Sequence, residues 1–386
     1  MTASVIAQVV MVLTLLLMIT GKTPIYMTAI VGATLSALIA GFPIMGSAEM
    51  TIAKMVNTGL NPVIADMTGI LLFIGIMQAT GFLDVIIRDI VRVGNKLGGG
   101  TGVCSAGGIA AGVIGALTGF TQPTQVALVA TAGISFGLFN VLGLIACLTI
   151  FLVSAIRCNA DMRRRGVVIT KEEQARIMAE IENREYSTTS LRAFLPFLVL
   201  FIGFVAGFPV FLVGLASAIV CMLLSGKPMR EAEAAMLKGV SLIATPIVAT
   251  IGFLFMSTVI KQVGLVQTMS DAVGPVLSVA PVLILFGVAF LTGFLTQSYA
   301  ASVSVLVPFL QVVLQTGADP FAACFAAASG ASLIQYFLTG GPVAALATVI
   351  PVIPGCDLKT ANAFQRPSIL AGCAMAFLIT VILTLV

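Results

Sequence analysis

The sequence contains one short stretch twice: LTGFTQP at residues 117–123 returns as LTGFLTQ at residues 291–297. Each copy lies between long apolar runs and combines glycine with threonine and glutamine. Glycine and proline weaken or end helices, and a helix that breaks inside a bilayer is tolerated only where its freed backbone groups are buried in protein or line a cavity. Two related breaks in one chain therefore predict a ligand site formed by two related halves.

The composition predicts an all-α polytopic membrane protein. Of the 386 residues, 59% are hydrophobic and 9% are charged, and the mean hydropathy is +1.15. A soluble core of ordinary proportions cannot bury that much apolar surface. The net charge of +4 comes from basic residues in short segments between apolar runs. The positions of these basic residues indicate how the protein is oriented in the lipid bilayer. We predict no nucleic-acid partner.

The chain has no histidine, and its carboxylates and 7 cysteines do not cluster at the spacing of metal ligands. The commonest metal ligand and general base are thus missing. No nucleophile motif is present either. We therefore predict no metal centre, no cofactor and no enzymatic activity.

A hydrophilic segment divides the chain into three predicted domains: a first membrane repeat at 1–157, a charged linker at 158–192 and a second membrane repeat at 193–386. Opposite charges four residues apart in the linker predict a solvated helix. Its cationic ends are typical of cytoplasmic loops, so the N-terminus is predicted to lie outside. Apolar stretches that can enter a hydrocarbon layer of about 30 Å occupy residues 3–20, 24–42, 62–80, 103–118, 126–157, 193–207, 209–225, 239–260, 281–297, 300–316, 321–352 and 367–386.

Landmarks before the linker return in the same order after it. GFP at 41–43 matches GKP at 226–228, and a turn at Gly81 matches one at Gly264. The first half starts outside and the second starts from the cytoplasmic linker. If each half has an odd number of crossings, the two halves have opposite topology. We therefore predict two inverted-topology repeats with broken or re-entrant helices.

This arrangement resembles the ion transporter superfamily over nearly the whole chain at the level of repeat order. The superfamily includes divalent anion/sodium symporters, gluconate and lactate permeases, the large subunits of tripartite periplasmic transporters and some sodium/proton antiporters. Many members carry a Ser-Asn-Thr or Gly-Ser-Ser signature at the tip of each of two hairpins. Here the corresponding segments are TQPTQ at 121–125 and TQSY at 296–299. Their residues differ from the signature but carry the same hydroxyl and amide groups.

The resemblance implies an elevator-type transporter in a bacterial inner membrane, often a homodimer. In that architecture a mobile unit with both hairpins moves against a scaffold, which here would be the first two spans of each half. The resemblance also admits accessory membrane and periplasmic subunits.

The breaks supply the candidate substrate- and ion-binding residues, because a freed helix N-terminus favours an anion, a freed C-terminus favours a cation, and hydroxyl and amide groups serve either. The candidates at the two breaks are Thr118, Gly119, Thr121, Gln122, Pro123, Thr124 and Gln125, and Thr292, Gly293, Thr296, Gln297, Ser298 and Ser302. A third cluster with Gln335, Thr339 and Gly340 is either a further break or a surface turn.

Asp66 is the acidic residue inside an apolar run, five residues after Asn61. An intramembrane carboxylate is costly and is a functional candidate by default. Asp66 and Asn61 are therefore candidates for coupling an ion to transport. Alternatively, the span begins at Met67 and Asp66 stabilises the N-terminal end of its helix.

These features predict a secondary active transporter that moves a small organic anion, a carboxylate, in symport with sodium or protons. The candidate segments contain no Arg or Lys, so a cotransported cation would balance the substrate charge. Sodium at the helix breaks is the one metal ion this scheme admits. The alternatives are a sodium/proton antiporter and the large membrane subunit of a binding-protein-dependent tripartite transporter.

Overall fold

The computed structural model describes residues 3–19, 25–57, 62–96, 122–164, 166, 170–206, 208–241, 244–277, 279–296, 299–338 and 358–385. Within these ranges the chain is helical and contains no β-strand. The prediction of an all-α membrane protein is confirmed. The helices are α1 (Ala3–Ile19), α2 (Ile25–Ile39), α3 (Ile52–Asn57), α4 (Pro62–Ala79), α5 (Phe82–Lys96), α6 (Pro123–Ala132), α7 (Leu138–Arg164), α8 (Lys171–Glu182), α9 (Ser190–Val205), α10 (Val210–Ser225), α11 (Met229–Ser241), α12 (Ala244–Gln262), α13 (Leu265–Leu277), α14 (Pro281–Thr296), α15 (Tyr299–Gln315), α16 (Pro320–Ile334) and α17 (Leu358–Leu385).

Several helices have the length and composition of membrane spans. In the described residues, Leu138–Asp161 of α7 and Asn362–Leu385 of α17 are each 24 residues long and apolar enough to cross a bilayer. A third span is formed if Thr68–Ala79 and Phe82–Ile90, which meet at an 82° bend, are counted together. Shorter apolar helices of 10–17 residues accompany them. Short helices of this kind are expected where spans are broken or re-entrant.

Glycines with positive φ end matching helices in the two halves of the sequence. Gly81 follows α4 with φ 72° and Gly264 follows α12 with φ 78°, which confirms both predicted turns. Gly41 after α2 and Gly226 after α10 form another such pair, with φ 88° and 65°. Because only glycine adopts this conformation without strain, these positions explain why the helices stop there. The inverted orientation of the two halves stays a prediction.

The apolar stretch 126–157 is not one helix, contrary to what its composition suggests. It is divided between α6 and α7 by a turn in which Gly133 and Gly137 have φ of 69° and 117°. Asn140 Oδ1 accepts a hydrogen bond from the Gly137 N–H at 2.9 Å. The residues around this turn are mostly apolar, so composition alone does not reveal it. The two glycines are its signal in the sequence.

The chain folds into two compact units, and each unit is assembled from both sequence halves. Unit 1 comprises Met1–Ile64, Val113–Ala146 and Thr245–Val386, and unit 2 comprises Ala65–Gly112 and Cys147–Ala244. Helices α1 and α2 belong to unit 1, whereas α9 and α10 belong to unit 2. A common scaffold made of these four helices therefore stays a prediction, as do the three domain boundaries.

Unit 2 packs aromatic and sulfur-containing side chains between its helices. Phe73, Met77 and Phe82 of α4 and α5 form one buried cluster with Cys221 of α10 and Met236 of α11. Close backbone approach occurs where glycines of α4 face α10 and α11. Small residues at such crossings allow the dense packing that holds helices together in a bilayer.

The linker contains the predicted helix, α8, and its C-terminal end is fixed to α5. The Arg92 Nη2 atom lies 3.1 Å from Glu182 Oε1. The Arg88 guanidinium lies 4.5 Å from the centre of the Tyr186 ring, and its Nη2 donates to Ser190 Oγ at 2.7 Å. These contacts order the entry into α9, so this end of the linker has a defined position within unit 2.

Candidate functional site

Unit 1 is built around α16, which is almost entirely buried. The Asp319 carboxylate accepts a hydrogen bond from the Ala322 N–H at 2.7 Å and so caps the start of this helix. Every residue from Ala322 to Ile334 is buried, and most are alanine, glycine or serine. Helices α6, α14, α15 and α17 pack against it. A small-residue helix surrounded by four others brings distant segments of the chain together.

Gly293 serves the packing of α14 against α16. A Cβ atom added there would lie 2.8 Å from the Ala331 Cα, and closer still to the Ala331 carbonyl oxygen. Gly330 of α16 faces α14 in the same way, with Ala289 Cβ 2.9 Å from an added Cβ. Gly293 therefore has a packing role against α16, and its candidate role in ligand binding stays a prediction.

Substitution of Gly293 by alanine is expected to destabilise unit 1 by about 1–3 kcal/mol, because the added methyl group meets fixed backbone atoms. Gly287, six residues earlier on α14, is the matched control, since a Cβ atom there meets nothing within 4 Å. Gly287→Ala should be neutral or stabilising by about 0.5–1 kcal/mol. Thermal unfolding of both variants in detergent measures the difference. Equal melting temperatures would contradict this packing role.

The second sequence repeat coincides with a helix break. Helix α14 ends at Thr296 and α15 begins at Tyr299. Gln297 and Ser298 lie outside the described residues. Ser302, in the first turn of α15, is completely buried, and its Oγ lies 3.1 Å from Thr296 Oγ1. The Ser302 hydroxyl therefore bonds to the last residue of the preceding helix.

Gln335 joins the same group from the end of α16. It follows Ile334, is completely buried, and its Nε2 donates to Ser302 Oγ at 3.3 Å. The Gln335 Oε1 atom is also buried and has no hydrogen-bond donor among the described residues. An unpaired buried carbonyl oxygen costs about 1–3 kcal/mol. This oxygen is consequently suited to bind an added ligand.

The first sequence repeat ends where α6 begins. Pro123 occupies the first position of α6, and Gln122 precedes it in an extended conformation, with φ −81° and ψ 114°. Proline is favoured at that position because its missing N–H would have no helical partner. Thr124 and Gln125 are completely buried, and Gln125 Nε2 donates to Ser332 Oγ of α16. Thr118, Gly119 and Thr121 lie outside the described residues.

The hydrogen bonds bring four helix ends together within unit 1. Gln125 and Ser302 lie in the first turns of α6 and α15, whereas Thr296 and Gln335 end α14 and α16. Helix N-termini carry partial positive charge and C-termini partial negative charge, each about half an elementary charge. We call Gln125, Thr296, Ser302, Ser332 and Gln335 the amide–hydroxyl cluster. Helix N-termini favour a bound anion and helix C-termini favour a bound cation, and both kinds of helix end occur in this cluster.

The remaining predicted residues are not joined to this cluster by described contacts. Thr292 lies half-buried on α14. Thr339, Gly340 and Asn61 lie outside the described residues. Asp66 is in unit 2, on α4, which begins at Pro62. Asp66 is therefore past the first turn of α4, and its coupling role stays a prediction.

Sequence reasoning missed three polar residues near the start of α17. Asn362 Nδ2 and Gln365 Nε2 donate to the Tyr336 carbonyl oxygen at 3.2 and 3.0 Å. Arg366 Nε donates to the Phe337 carbonyl oxygen at 3.1 Å. Their spacing of three and four residues, which places all three on one helix face, was the available signal. They hold the segment that directly follows Gln335.

Comparison with known proteins identifies the fold. No protein-family model matches the sequence, and no curated protein matches it. Among solved structures, the chain is similar to the YdaH transporter of Alcanivorax borkumensis, which has an unusual topology. The similarity covers 99% of this chain and 98% of that chain, with 16% sequence identity and a TM-score of 0.54. The chain thus has the fold of a membrane transporter, whereas the resemblance to the ion transporter superfamily finds no support in these comparisons.

Proposed function

We propose that the chain is a secondary active transporter that carries a small organic anion, a carboxylate, in symport with sodium. The proposal includes a multi-pass position in a bacterial inner membrane with the N-terminus outside, a homodimeric assembly and elevator-type alternating access. The observation that carries it is the amide–hydroxyl cluster, in which Gln125 and Ser302, which closely follow the two repeated stretches, bond to Ser332 and Gln335 at the end of one buried helix. The transporter fold agrees with this reading.

Sodium is the coupling ion that the chemistry of the cluster favours. Sodium binds oxygen atoms without requiring a group that titrates, whereas proton coupling needs an acid or base. The cluster supplies the Gln335 carbonyl oxygen and the Thr296 and Ser302 hydroxyl oxygens, and its five members include no ionisable side chain. The C-termini of α14 and α16 contribute partial negative charge near the Thr296 and Gln335 oxygens, and Ser302 lies in the N-terminal turn of α15, which contributes partial positive charge. The cluster thus resembles the sodium sites found at broken transporter helices.

The carboxylate is proposed to bind at the N-terminal turns of α6 and α15. The first N–H groups of a helix have no partner within it and point along its axis, so they form a ready anion site. Gln125 and Ser302 lie in these two turns: the Gln125 side chain donates to Ser332 of α16, and the Ser302 hydroxyl accepts from Gln335 at the end of α16. A cation and an anion bound at neighbouring helix ends stabilise each other, which couples their affinities.

Uptake into proteoliposomes that contain only this chain tests the proposal. Labelled lactate, succinate and citrate would be offered under an imposed sodium gradient, an imposed proton gradient, and neither. Sodium-dependent accumulation of one compound is the expected result. Accumulation that follows the proton gradient alone would contradict sodium coupling. If nothing accumulates under either gradient, cation/proton exchange or a tripartite assembly with accessory subunits replaces the proposal.

We also propose that Asp66 couples a cation to transport. A carboxylate inside a membrane helix destabilises the protein, and such residues are functional candidates for that reason. If it carries a proton, Asp66→Asn should flatten the pH profile of uptake and lower its maximal rate about tenfold or more. Asp84, near the start of α5 on the other side of the bend, is the control, and Asp84→Asn should leave the profile unchanged. An unaltered pH profile in Asp66→Asn would remove Asp66 from the mechanism.

A further inference from the structure

Arg366 lies in a membrane-span candidate and forms no ion pair with an acidic residue in the described part of the chain. It lies four residues inside the apolar segment Asn362–Leu385 of α17 and is partly buried. The ion pairs of the described residues involve Arg88 and Arg92 and do not include Arg366. A guanidinium at membrane depth costs several kcal/mol unless it is paired or reaches water, so such residues are functional candidates by default.

The described contacts use one side of the guanidinium. Arg366 Nε donates to the Phe337 carbonyl oxygen at 3.1 Å and lies 3.3 Å from Asn362 Oδ1. The guanidinium carbon lies 5.1 Å from the centre of the Phe337 ring. These contacts hold the group in one orientation. The four N–H bonds on its two Nη atoms, which form the fork that matches a carboxylate, make no hydrogen bond to any described residue.

The position of Arg366 is fixed relative to the amide–hydroxyl cluster through the backbone. Phe337 is two residues after Gln335, so their Cα atoms are at most about 7 Å apart. Asn362 and Gln365 both donate to the carbonyl of the intervening residue, Tyr336. Three side chains of α17 thus hold the two residues that immediately follow Gln335 and place the guanidinium against Phe337.

We infer that Arg366 binds the carboxylate group of the transported anion. This inference rests on the proposed transport function and adds to it the charged residue that the cluster lacks. The five members of the cluster carry no positive charge, and the helix N-termini supply only partial charges. A guanidinium binds a carboxylate through two parallel hydrogen bonds and rejects the uncharged amide of the same shape. The inferred ligand class is therefore an anion with a free carboxylate.

The competing explanation is that Arg366 only holds the Phe337 backbone in place. A substitution that preserves the positive charge distinguishes this structural role from anion binding. Lysine keeps the positive charge but loses the Nε–H that bonds to Phe337, whereas glutamine loses both. If Arg366 binds the anion, Arg366→Gln should raise the KM for carboxylate about ten- to hundredfold. Arg366→Lys should recover part of that loss. The sodium concentration for half-maximal uptake should change by less than about twofold in either variant.

The test uses the full chain in proteoliposomes with labelled lactate, succinate and citrate, and the uncharged lactamide as competitor. Lys359→Gln, which removes an exposed cation from the start of the same helix, is the matched control and should behave as wild type. In wild type, lactamide should compete far more weakly than lactate, and in Arg366→Gln this preference should disappear.

Each outcome decides the inference. A wild-type KM in Arg366→Gln, with carboxylate uptake intact, would overturn the role of Arg366 and leave the proposed function standing. Equal defects in Arg366→Gln and Arg366→Lys, accompanied by weaker sodium activation and a lower melting temperature, would identify a structural clamp and also overturn it. If wild type accumulates none of the three carboxylates, the ligand class and the proposed function fail together.

Discussion

Gln335→Leu is expected to weaken sodium activation of uptake by about 10- to 150-fold, because one hydrogen-bond-strength interaction with a charged ligand is worth about 1.5–3 kcal/mol. Gln335 contributes a buried Oε1 atom that has no donor in the described part of the chain. Leucine has similar volume and removes that oxygen together with the Nε2 bond to Ser302. Sodium-dependent uptake in proteoliposomes, measured as a function of sodium concentration, gives the effect directly.

Gln335→Glu separates a cation site from an anion site at the same position. Glutamate keeps an oxygen in place of Oε1, puts a second oxygen in place of the Nε2 that contacts Ser302, and adds a negative charge, so sodium activation should persist. Uptake should become pH-dependent, with activity lost at low pH as the new carboxylate is protonated. If the Gln335 amide instead served the substrate anion, the added charge would abolish uptake at neutral pH. Gln311→Leu is the control, since that glutamine bonds to Ser257 away from the cluster and should leave sodium activation unchanged.

Ser302→Ala is the second substitution with a large expected effect. It removes the hydroxyl that Thr296 and Gln335 both contact, at 3.1 and 3.3 Å. We expect uptake to fall about tenfold or more, and stability to fall by about 1–3 kcal/mol because the buried Gln335 Nε2 loses its acceptor. Uptake kinetics and the melting temperature in detergent measure the two effects.

Ser329→Ala is the matched control for Ser302→Ala. Both serines are completely buried in unit 1. The Ser329 hydroxyl donates at 2.7 Å to the Phe325 carbonyl oxygen of its own helix, so its loss leaves no other side chain without an acceptor. Equal uptake in Ser302→Ala and Ser329→Ala would show that the cluster does not contribute to transport.

The helix ends at the two breaks were predictable because they follow local rules. Pro123 starts α6 for the reason that proline starts helices in general, and the interruption after Thr296 falls where the repeated stretch ends. The turns at Gly81 and Gly264 were equally visible, since glycine next to a helical run is typical of a C-terminal cap. Gly133 obeys the same C-cap rule, but it lies inside a continuous apolar run and was therefore not singled out.

The composition of the cluster was only partly predictable, because it depends on which helices pack together. Gln125, Thr296, Ser302 and Gln335 were candidates by residue type, yet their hydrogen bonds join different helices and depend on tertiary packing. Arg366 escaped notice because its partner, Phe337, lies 29 residues away in sequence. Gly293 was a candidate binding residue, but glycine in a membrane helix also serves helix packing, and the sequence does not distinguish these uses.

The central claim is that one chain couples the movements of sodium and a carboxylate, and it is tested most directly by measuring both fluxes in the same proteoliposomes. Labelled sodium and labelled carboxylate would be followed together, first with only a sodium gradient and then with only a carboxylate gradient. If the two fluxes are coupled, a sodium gradient drives the carboxylate inward and a carboxylate gradient drives sodium inward. We predict coupled uptake in both directions, lost in Gln335→Leu. Sodium movement that is indifferent to the carboxylate, or carboxylate accumulation without sodium, would contradict the account.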